Sequence, residues 1–518
     1  MFQVVIKLKI LKGALKGINK TEYGDISVHH NRTQQQMLAA QAQLHRNPTN
    51  VYMRQMESEA RSAYSIAHSN YLSFLSQKAK ITWIEGDDNT RMFHQSIKQR
   101  RIQNRINAIK NARGEWVESS HGVIGAFLDF YKDLLGSSCD TRKVDNKIVQ
   151  QGKVLSTEQQ QWLDLTFDSK EIKQAIFSIP NEKAPGIYGQ EVIAVVQDFF
   201  RTGRMLQGLN VTTITLIPKI KCPAGVGDYR PIACYSVIYN AITKLICSRL
   251  SSILPGLISP NQGAFITGRS IMSNILLCQD LVKRFNKRQN LERGIMMKID
   301  LRKAYDSVEW QFIEELLQAL HFPPHFMRCI MSCITTPKFT LLINGSTEGF
   351  FSAKKGLRQG DPVSPLLFVI YMDYLTRILH YIGGIRGFKF RKGCASLNLN
   401  NLCFVDDLLM FCKGNAHSAY LLLQGLKLFS ETSGLQANNA KSALYCSGIN
   451  ESEANRIQQF SGFSREQLPF RHFLWSGKAM GVQSGYINWE QVCSPKKLGG
   501  LGLRNVAKWN LAAAGKLV

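Results

Sequence analysis

The sequence predicts a protein of the α+β class, with β-strands and α-helices in separate segments of the chain. Two segments, Thr212–Ile217 and Gly294–Asp300, are short and rich in β-branched or apolar residues, as buried strands are. Longer segments such as Val237–Leu254 carry apolar side chains three and four positions apart, which is the spacing of one helix face. Both element types therefore contribute to one core.

The composition favours a folded protein with a polyanionic partner. The 518 residues, 44% of them hydrophobic and 10% aromatic, allow roughly two to four domains. Lys and Arg number 64 against 38 Asp and Glu, which gives a formal charge of +26. Such an excess favours nucleic acid as the partner, ahead of an acidic membrane surface, because no long basic amphipathic helix stands out.

Cysteine usage and apolar runs indicate an intracellular protein that is not secreted. The 12 Cys show neither Cys-x-x-Cys spacing nor clustering with His, so we expect reduced thiols and no zinc site. We expect no membrane partner, because no apolar run reaches the length needed to span a bilayer. The opening segment, Met1–Gly17, alternates Lys with apolar residues and lacks the pattern of a signal peptide.

The first part of the chain gives weaker patterns. Residues 1–50 are rich in Gln and Asn and are expected to have no firm structure. From Tyr52 to about Arg105 the spacing is helical. A basic cluster follows, which is either a solvated helix face or a phosphate contact and resembles a nuclear-localisation patch only weakly. Its members are Lys98, Arg100, Arg101, Arg105, Lys110 and Arg113.

A predicted strand over Thr212–Ile217 is followed by two basic residues. Lys219 comes directly after the strand, and Arg230 lies in the segment Asp228–Ile232, before a predicted helix over Val237–Leu254. A Lys point charge and an Arg fork at the two ends of such a segment would suit a triphosphate. Surface ion pairing is the simpler alternative for these two residues alone.

Asp300 ends the second predicted strand. An acidic residue at the carboxyl end of a core strand is well placed to bind a metal ion, and it is also a common helix N-cap. A predicted helix follows it directly. The apolar face of that helix consists of Val308, Phe312, Ile313, Leu316, Leu317 and Leu320.

The segment Gly356–Ser364 is a predicted loop whose glycines would let the backbone approach a ligand closely. A helix is expected to follow, with Ser364 as its N-cap, Pro365 at its first position and its end at Gly383-Gly384. An ordinary junction between a loop and a helix is the alternative.

Two adjacent acids, Asp406 and Asp407, interrupt the apolar run Leu402–Phe411. The pattern predicts two buried strands joined by a tight turn that contains both acids. Two neighbouring carboxylates repel each other unless a cation lies between them, so this turn is a candidate site for a divalent metal. A solvated turn is the alternative for an isolated pair. A helix over about 417–430 and a β-rich stretch through Leu444 and Tyr445 are expected next.

The order of these motifs resembles that of a reverse transcriptase, and more closely that of plant LINE-type, non-LTR retrotransposons. The resemblance covers residues 165–472 well and extends to about 50–135, where Trp83–Thr90 and Phe93–Arg101 resemble the segment that connects endonuclease and polymerase. The motifs that carry it are Ile217–Lys219, Asp228–Ile232, Asn261–Arg269, Lys298–Asp306, Gly356–Pro362, Phe404–Asp407 and Ser433–Ser442.

The resemblance implies a right-hand polymerase fold with fingers, palm and thumb, and an RNA-directed DNA polymerase activity. Asp300, Asp406 and Asp407 would be the catalytic, metal-binding carboxylates of the palm. Asp300 and Asp406 would hold two Mg²⁺ ions, with Mn²⁺ as an alternative, for transfer of a nucleotide from a dNTP to a primer 3′-hydroxyl. Asp407 would support this site.

The resemblance also implies how substrates bind. The residues that would contact the dNTP are Lys219, Arg230, Tyr305, Gln359 and Gly360. Tyr305 would pack beneath the sugar and exclude a 2′-hydroxyl. Gln262, Phe265 and Arg269 would contact the template, and Lys441 matches a position in the loop after the hairpin. An RNA template and a DNA primer are the implied partners, and the oligomeric state is left open.

Several departures from the family pattern predict a truncated or rearranged copy. The chain has Pro185–Gly189 where Pro-Gly-Pro-Asp-Gly is usual, and Val405 where Ala is common in this clade. After His472 the sequence passes directly to a segment that matches a region further downstream, beginning at Phe473, so most of the thumb is expected to be missing. No endonuclease domain is expected before residue 50.

The predicted domains follow from this comparison. They are a poorly structured N-terminus (1–50), a helical basic extension (51–138), a linker (139–164), fingers and palm (165–450), and a truncated thumb with a C-terminal remnant (451–518). Two other functions stay open: an inactive relic that only binds nucleic acid, and a group II intron maturase. The Gly360-Asp-Pro motif and the Tyr305-Asp306 pair favour the LINE type over the maturase.

Overall fold

A computed structural model describes residues 1–21, 26–79, 104–179, 190–283 and 293–466. The chain divides into two units, Met1–Ser464 and Arg465–Val518. Nearly all of the described secondary structure belongs to the first unit. The predicted motifs at 83–101 and 185–189, and those after residue 467, lie outside the described residues.

The helices and strands of the described residues follow each other irregularly, as expected for an α+β protein. The helices are α1 (Phe2–Thr21), α2 (Ile26–Arg46), α3 (Val51–Ala79), α4 (Ser120–Gly136), α5 (Asn146–Val149), α6 (Thr157–Asp164), α7 (Ser169–Phe177), α8 (Gln190–Thr202), α9 (Val237–Leu257), α10 (Ile271–Lys283), α11 (Ala304–Ser307), α12 (Trp310–Ala319), α13 (Pro324–Thr335), α14 (Val363–Gly383), α15 (Ala416–Ser433) and α16 (Glu451–Ser461). The strands are β1 (Ile109–Lys110), β2 (Trp116–Val117), β3 (Val211–Pro218), β4 (Tyr229–Cys234), β5 (Gly294–Ile299), β6 (Lys338–Ile343), β7 (Ser346–Ser352), β8 (Asn401–Phe404), β9 (Asp407–Lys413), β10 (Ala443–Ser447) and β11 (Ser464–Arg465).

The central sheet has the strand order β11–β10–β5–β9–β8. Strand β5 lies in its middle and pairs antiparallel with β10 on one side and β9 on the other. Its residues Ile295, Met296 and Met297 are fully buried, which agrees with their apolar character. The sheet therefore holds both predicted acidic motifs on neighbouring strands.

The side sheet has the strand order β4–β3–β6–β7. Strand β3 pairs antiparallel with β4, through which Ile217 lies opposite Arg230, and parallel with β6. Lys219 follows β3 directly, so the β3–β4 hairpin carries the predicted Lys and Arg close to each other. The side sheet thus presents the two cations from one end.

Helices α9 and α14 form much of the core beside the central sheet. Helix α14 buries 17 of its 21 residues, including an ion pair in which Arg377 Nε lies 2.7 Å from Asp373 Oδ2. In the described parts of the chain, α9 is the one helix whose length and composition would allow it to cross a membrane. The sequence expectation that no stretch is long enough was wrong, and α9 is apolar because most of it is buried in the core.

Most of the described residues before residue 50 are helical, contrary to expectation. They form α1 and α2, and α2 packs against α3. His30 of α2 stacks on Tyr71 of α3 with ring centroids 4.5 Å apart. Gln, Ala and Leu are good helix formers, and the sequence pattern was weak because α2 contributes few apolar residues to this contact.

The predicted linker is part of the fold. Residues 139–164 contain α5 and α6, and the buried Arg377 of α14 donates hydrogen bonds to the backbone oxygens of Val149 and Lys153 at 2.5 and 2.7 Å. A polar sequence was mistaken for a linker because its polar groups are satisfied by backbone and side-chain partners on distant helices.

The segment 104–136 belongs to the same unit as the side sheet and packs on it. Phe127 of α4 is fully buried and contacts the Tyr229 ring edge-on, with centroids 5.3 Å apart. Asn344 of the side sheet exchanges two hydrogen bonds of 2.9 Å with the backbone of Ile106. Helix α4 thus covers the side sheet.

Most predicted elements of the later chain were confirmed, with small shifts at their ends. Strands β3 and β5 and helix α15 lie where expected. Helix α14 begins at Val363 with Pro362 as N-cap, so Ser364 lies inside the helix. Asp361 takes the capping role instead, because its Oδ1 accepts a hydrogen bond from the Val363 amide at 3.1 Å.

The packing of α4 on the side sheet predicts a large stability difference between two Phe to Ala substitutions. Phe127→Ala should destabilise the protein by about 3–5 kcal/mol, because it leaves a cavity in a closed cluster. Phe350→Ala on β7 should have little effect, since that ring is 64% exposed. Urea unfolding curves of the two variants provide the measurement. Equal midpoints would show that α4 does not pack on the sheet.

Candidate active site

The acidic hairpin joins β8 to β9 through a two-residue turn. Phe404 pairs with Asp407, so the turn consists of Val405 and Asp406, one residue earlier than predicted. Asp407 is the first residue of β9. Val405 has a φ angle of 57°, a left-handed conformation that is strained for a β-branched residue.

Gln262 supports this turn through a hydrogen bond to its backbone. Its side chain is fully buried, and its Oε1 accepts hydrogen bonds from the amides of Val405 at 3.3 Å and Ala264 at 3.1 Å. The surrounding structure must hold a strained turn in place, and this contact contributes to that. Gln262 therefore contacts the hairpin, in a buried position.

Asp300 is brought beside the hairpin by the pairing of β5 with β9. Ile299 lies opposite Leu408, so continuing the ladder by one residue places Asp300 opposite Asp407. The loop before β10 holds Asp300 from the other side. Asn438 Nδ2 donates to Asp300 Oδ2 at 3.1 Å, and the Asp300 amide donates to Ser442 Oγ at 3.1 Å.

One cavity of about 1240 Å³ joins the predicted residues. Asp300 and Asp406 both line it, whereas Asp407 does not belong to its lining. The other predicted residues on its wall are Lys219, Arg230, Tyr305, Gln359, Gly360 and Lys441. The structure thus brings the complete predicted dNTP set to the same cavity as two of the three predicted carboxylates.

Burial and neighbouring charges shift the pKa values of the site. Partial burial, then the charge of Asp406, raises the pKa of the Asp407 carboxyl, and Asp300 adds to this. Burial and the charge of Asp406 raise the pKa of Tyr305 to about 12. Burial lowers the pKa of Lys219, whose Nζ donates to the Gly227 carbonyl at 2.8 Å. Carboxylates are concentrated at the hairpin, and Lys219 and Arg230 line the same cavity.

The carboxylates fit a Mg²⁺ ion that shares its ligands with a substrate. Within the described ranges, no group of three His, Cys, Asp or Glu side chains is arranged to hold a metal ion by itself. Mg²⁺ is commonly bound by one or two carboxylates together with water and substrate phosphates. Asp300 and Asp406 provide such a pair, because both line the cavity. The charges of both raise the pKa of the neighbouring Asp407, which shows that anionic charge is concentrated here.

The loop that presents Gln359 and Gly360 rests on a buried network that the sequence reasoning missed. Arg358 donates to Asn210 Oδ1 at 2.8 Å and Thr212 Oγ1 at 2.9 Å, and its Nη2 lies 3.2 Å from Asp361 Oδ2. Tyr239 bonds to both members of this ion pair. Charged residues on either side of Gln359-Gly360 were the available sequence signal.

The three predicted template contacts do not line the cavity. Gln262 is buried beneath the hairpin, as described above. Arg269 donates to the carbonyls of Ser259, Gln262 and Ile258 at 2.6–2.8 Å, so its guanidinium caps the chain that leaves α9. Phe265 has a left-handed φ angle of 55°, and its side chain is 51% exposed, whereas Gln262 is buried and Arg269 is half-buried.

Comparison with known proteins identifies the class. A family model described as "Reverse transcriptase (RNA-dependent DNA polymerase)" matches residues 217–480, just over half of the chain. The chain belongs to this family. The match begins at the end of β3 and contains the central sheet and every residue predicted for catalysis and for dNTP binding.

The relatives are proteins of mobile elements. The chain is 24% identical over 421 residues to the transposon TX1 uncharacterized 149 kDa protein of Xenopus laevis, covering 78% of this chain and 31% of that protein. It is 27% identical over 240 residues to the Pol polyprotein of the type-2 retrotransposable element R2DM of Drosophila melanogaster, covering 46% and 22%. The chain thus spans less than a third of these relatives.

A solved structure of apo telomerase from Candida tropicalis, truncated from its C-terminal domain, is also similar. It is 14% identical, with a TM-score of 0.33, and the match covers 48% of this chain and 52% of that chain. The family match confirms the prediction of a reverse transcriptase domain.

The position of Gln262 predicts that it stabilises the fold. Gln262→Met keeps the size of the side chain but removes the acceptor for two buried amides, which should cost about 1–3 kcal/mol. Gln459→Met, on the exposed surface of α16, is the matched control and should be nearly neutral. Thermal unfolding measures both. A neutral Gln262→Met would contradict a supporting role for this side chain.

Proposed function

We propose that this chain is the catalytic core of a non-LTR retrotransposon polymerase that extends a DNA primer on an RNA template. The observation that carries the proposal is the convergence of Asp300 and Asp406 with Lys219 and Arg230 on one cavity, in a chain of the reverse transcriptase family. In this proposal the central sheet is the palm, and the side sheet with α4 forms the fingers.

The residues divide the work by charge. Asp300 and Asp406 would hold the Mg²⁺ ions, which supply charge stabilisation for the phosphates and lower the pKa of the attacking hydroxyl. Lys219 and Arg230 neutralise and orient the triphosphate from the side sheet. Asp407, at the start of β9 and outside the cavity lining, strengthens the negative field at the hairpin without contacting the substrate.

Tyr305 is proposed to select the sugar. Its ring stacks on Phe368 of α14, with centroids 4.5 Å apart and planes 22° from parallel. The stack supports the ring at the cavity wall, where in this proposal it would clash with a 2′-hydroxyl. Gln359 and Gly360 line the opposite part of the nucleotide site.

The nucleic-acid partners follow from charge and exposure. A net charge of +26 favours binding of RNA and DNA phosphates, with an affinity that falls as salt rises. Phe265 is the proposed template contact. Its side chain is exposed, and it follows closely in sequence after Gln262, which contacts the hairpin. We further propose that the chain comes from a plant element and acts inside the cell. Its active site would bind two metal ions.

Removal of either cavity carboxylate tests the catalytic proposal. Asp300→Asn and Asp406→Asn should each lower primer extension on an RNA template at least about 1000-fold, because charge stabilisation in the transition state is lost. Asp198→Asn on α8, outside the cavity, should retain wild-type activity. Extension is followed with labelled primer, dNTPs and Mg²⁺.

Two outcomes would decide against the proposal. Equal extension by wild type and Asp406→Asn would exclude the hairpin as the catalytic site. Salt-sensitive RNA binding by a wild-type chain that incorporates no nucleotide would instead favour the inactive, nucleic-acid-binding relic.

The sugar-selection proposal predicts a change in specificity. Tyr305→Ala should raise the incorporation of ribonucleotides relative to deoxynucleotides at least about 10-fold, because the ring no longer excludes a 2′-hydroxyl. The ratio of kcat/KM values for UTP and dTTP measures this. Tyr381→Ala, at the exposed end of α14, is the control. An unchanged ratio in Tyr305→Ala would remove Tyr305 from sugar selection.

A further inference from the structure

Asp306 is a carboxylate of the cavity wall that the mechanism above does not use. We propose that Asp306 is a positioning residue that orients the side-chain amide of Gln359, so that the incoming nucleotide meets a hydrogen-bond acceptor at this wall. This inference deepens the proposed function and rests on it. It adds a role for Asp306 and leaves the proposed roles of Asp300 and Asp406 unchanged.

The contact between the two side chains fixes which end of the amide faces the cavity. Gln359 Nε2 lies 3.4 Å from both carboxylate oxygens of Asp306. An ionised carboxylate has no hydrogen-bond donor and can only accept. The amide nitrogen of Gln359 must therefore face Asp306, and the amide oxygen must point away from it. A nucleotide group that meets this oxygen must be a donor, such as a hydroxyl or an amino group.

The backbone on both sides of the contact is held firmly. The Leu357 amide donates to the Tyr305 carbonyl at 2.6 Å, and the Gly356 amide donates to the Val308 carbonyl at 2.8 Å. Gly356 has a φ angle of 88°, and a Cβ atom there would lie 2.8 Å from the Asp306 carbonyl oxygen. The two segments therefore approach as closely as a glycine permits.

The main chain of Gln359 is fixed as well. Its carbonyl accepts from the Ala233 amide at 2.9 Å, and the next carbonyl, that of Gly360, accepts from Tyr235 Oη at 2.7 Å. Because the backbone segments of Asp306 and Gln359 are both held by hydrogen bonds, the Gln359 side chain can adjust mainly by rotation of its amide. The charge of Asp306 determines which rotamer is favoured.

A buried carboxylate at this place destabilises the fold, which argues that it serves the site. Asp306 is 8% exposed, and burial raises its pKa to about 6. Lys303 beside it in sequence, Lys219 from β3 and the hydrogen bond from Gln359 oppose this rise. Tyr131 of α4 also faces Asp306, and its pKa is raised by burial and by this carboxylate. An apolar side chain would be more stable here.

The test compares three variants of the full chain: Asp306→Leu, Gln359→Leu and the double variant. Steady-state primer extension with dTTP on a poly(rA) template gives KM and kcat, and calorimetric titration of dTTP with Mg²⁺ onto the protein and primer-template gives affinity. Asp306→Leu should raise KM about 10-fold and weaken affinity equally, with kcat within about 3-fold of wild type. The double variant should be no worse than Gln359→Leu, because the two residues act as one unit.

Stability provides the readout that separates positioning from a structural role. The folded-state pKa of Asp306 is raised above its ordinary value of 3.8, so the ionised carboxylate destabilises the fold above about pH 6. Asp306→Leu and Asp306→Asn should therefore melt at higher temperature than wild type at pH 8. This gain should shrink as the pH falls from about 6 toward 3.8, and it should be absent only below the unfolded-state pKa, where the wild-type carboxyl is protonated in both states.

The results that would overturn the inference are distinct from failure of the proposed function. An unchanged KM and affinity in Asp306→Leu, or losses in Asp306→Leu and Gln359→Leu that multiply in the double variant, would show that Asp306 does not act through Gln359. A wild-type chain that incorporates no dTTP would refute the proposed function, and the titration would still decide whether Asp306 affects dTTP binding. If Asp306→Leu does not fold, a lower melting temperature of Asp306→Asn at pH 8 would overturn the inference.

Discussion

The pairing of β5 with β9 is the constraint on which the rest of the site depends. Asp300 and the acidic hairpin are far apart in sequence, and their carboxylates repel one another. An antiparallel ladder of six residue pairs, buried at its centre, holds them at one edge of the sheet in spite of this repulsion. The pairing and burial of these strands stabilise the fold enough to offset the repulsion between the carboxylates. An isolated loop would lack this stabilisation.

A second layer of support surrounds this ladder. Asn438 and Ser442 hold Asp300, Gln262 holds the strained turn at Val405, and the buried Arg358 network holds the loop of Gln359. Each contact satisfies a buried or partly buried donor or acceptor, so loss of one partner leaves the other unpaired at a cost. Rigid backbone beneath the cavity leaves only side chains, such as that of Gln359, to adapt to a nucleotide.

Some expectations followed reliably from sequence, and others did not. Strands β3 and β5 were predictable because buried strands require runs of β-branched or apolar residues, and Asp300 marks the end of such a run. Helix α2 was not, because it contributes few apolar residues to its contact with α3. The segment 139–164 was not, because a side chain distant in sequence, Arg377, satisfies some of its backbone carbonyls. The turn at Val405 shifted by one residue because register is set by neighbouring strands.

The sequence by itself determined the family, since the chemistry of phosphate and metal binding requires particular residue types in a particular order. Only the tertiary structure decided which residues face the cavity. It buried Gln262, directed Arg269 to a helix end, and placed Asp306 against Gln359. These outcomes depend on which backbone groups remain to be satisfied once the strands have paired, and no local pattern in the sequence contains that information.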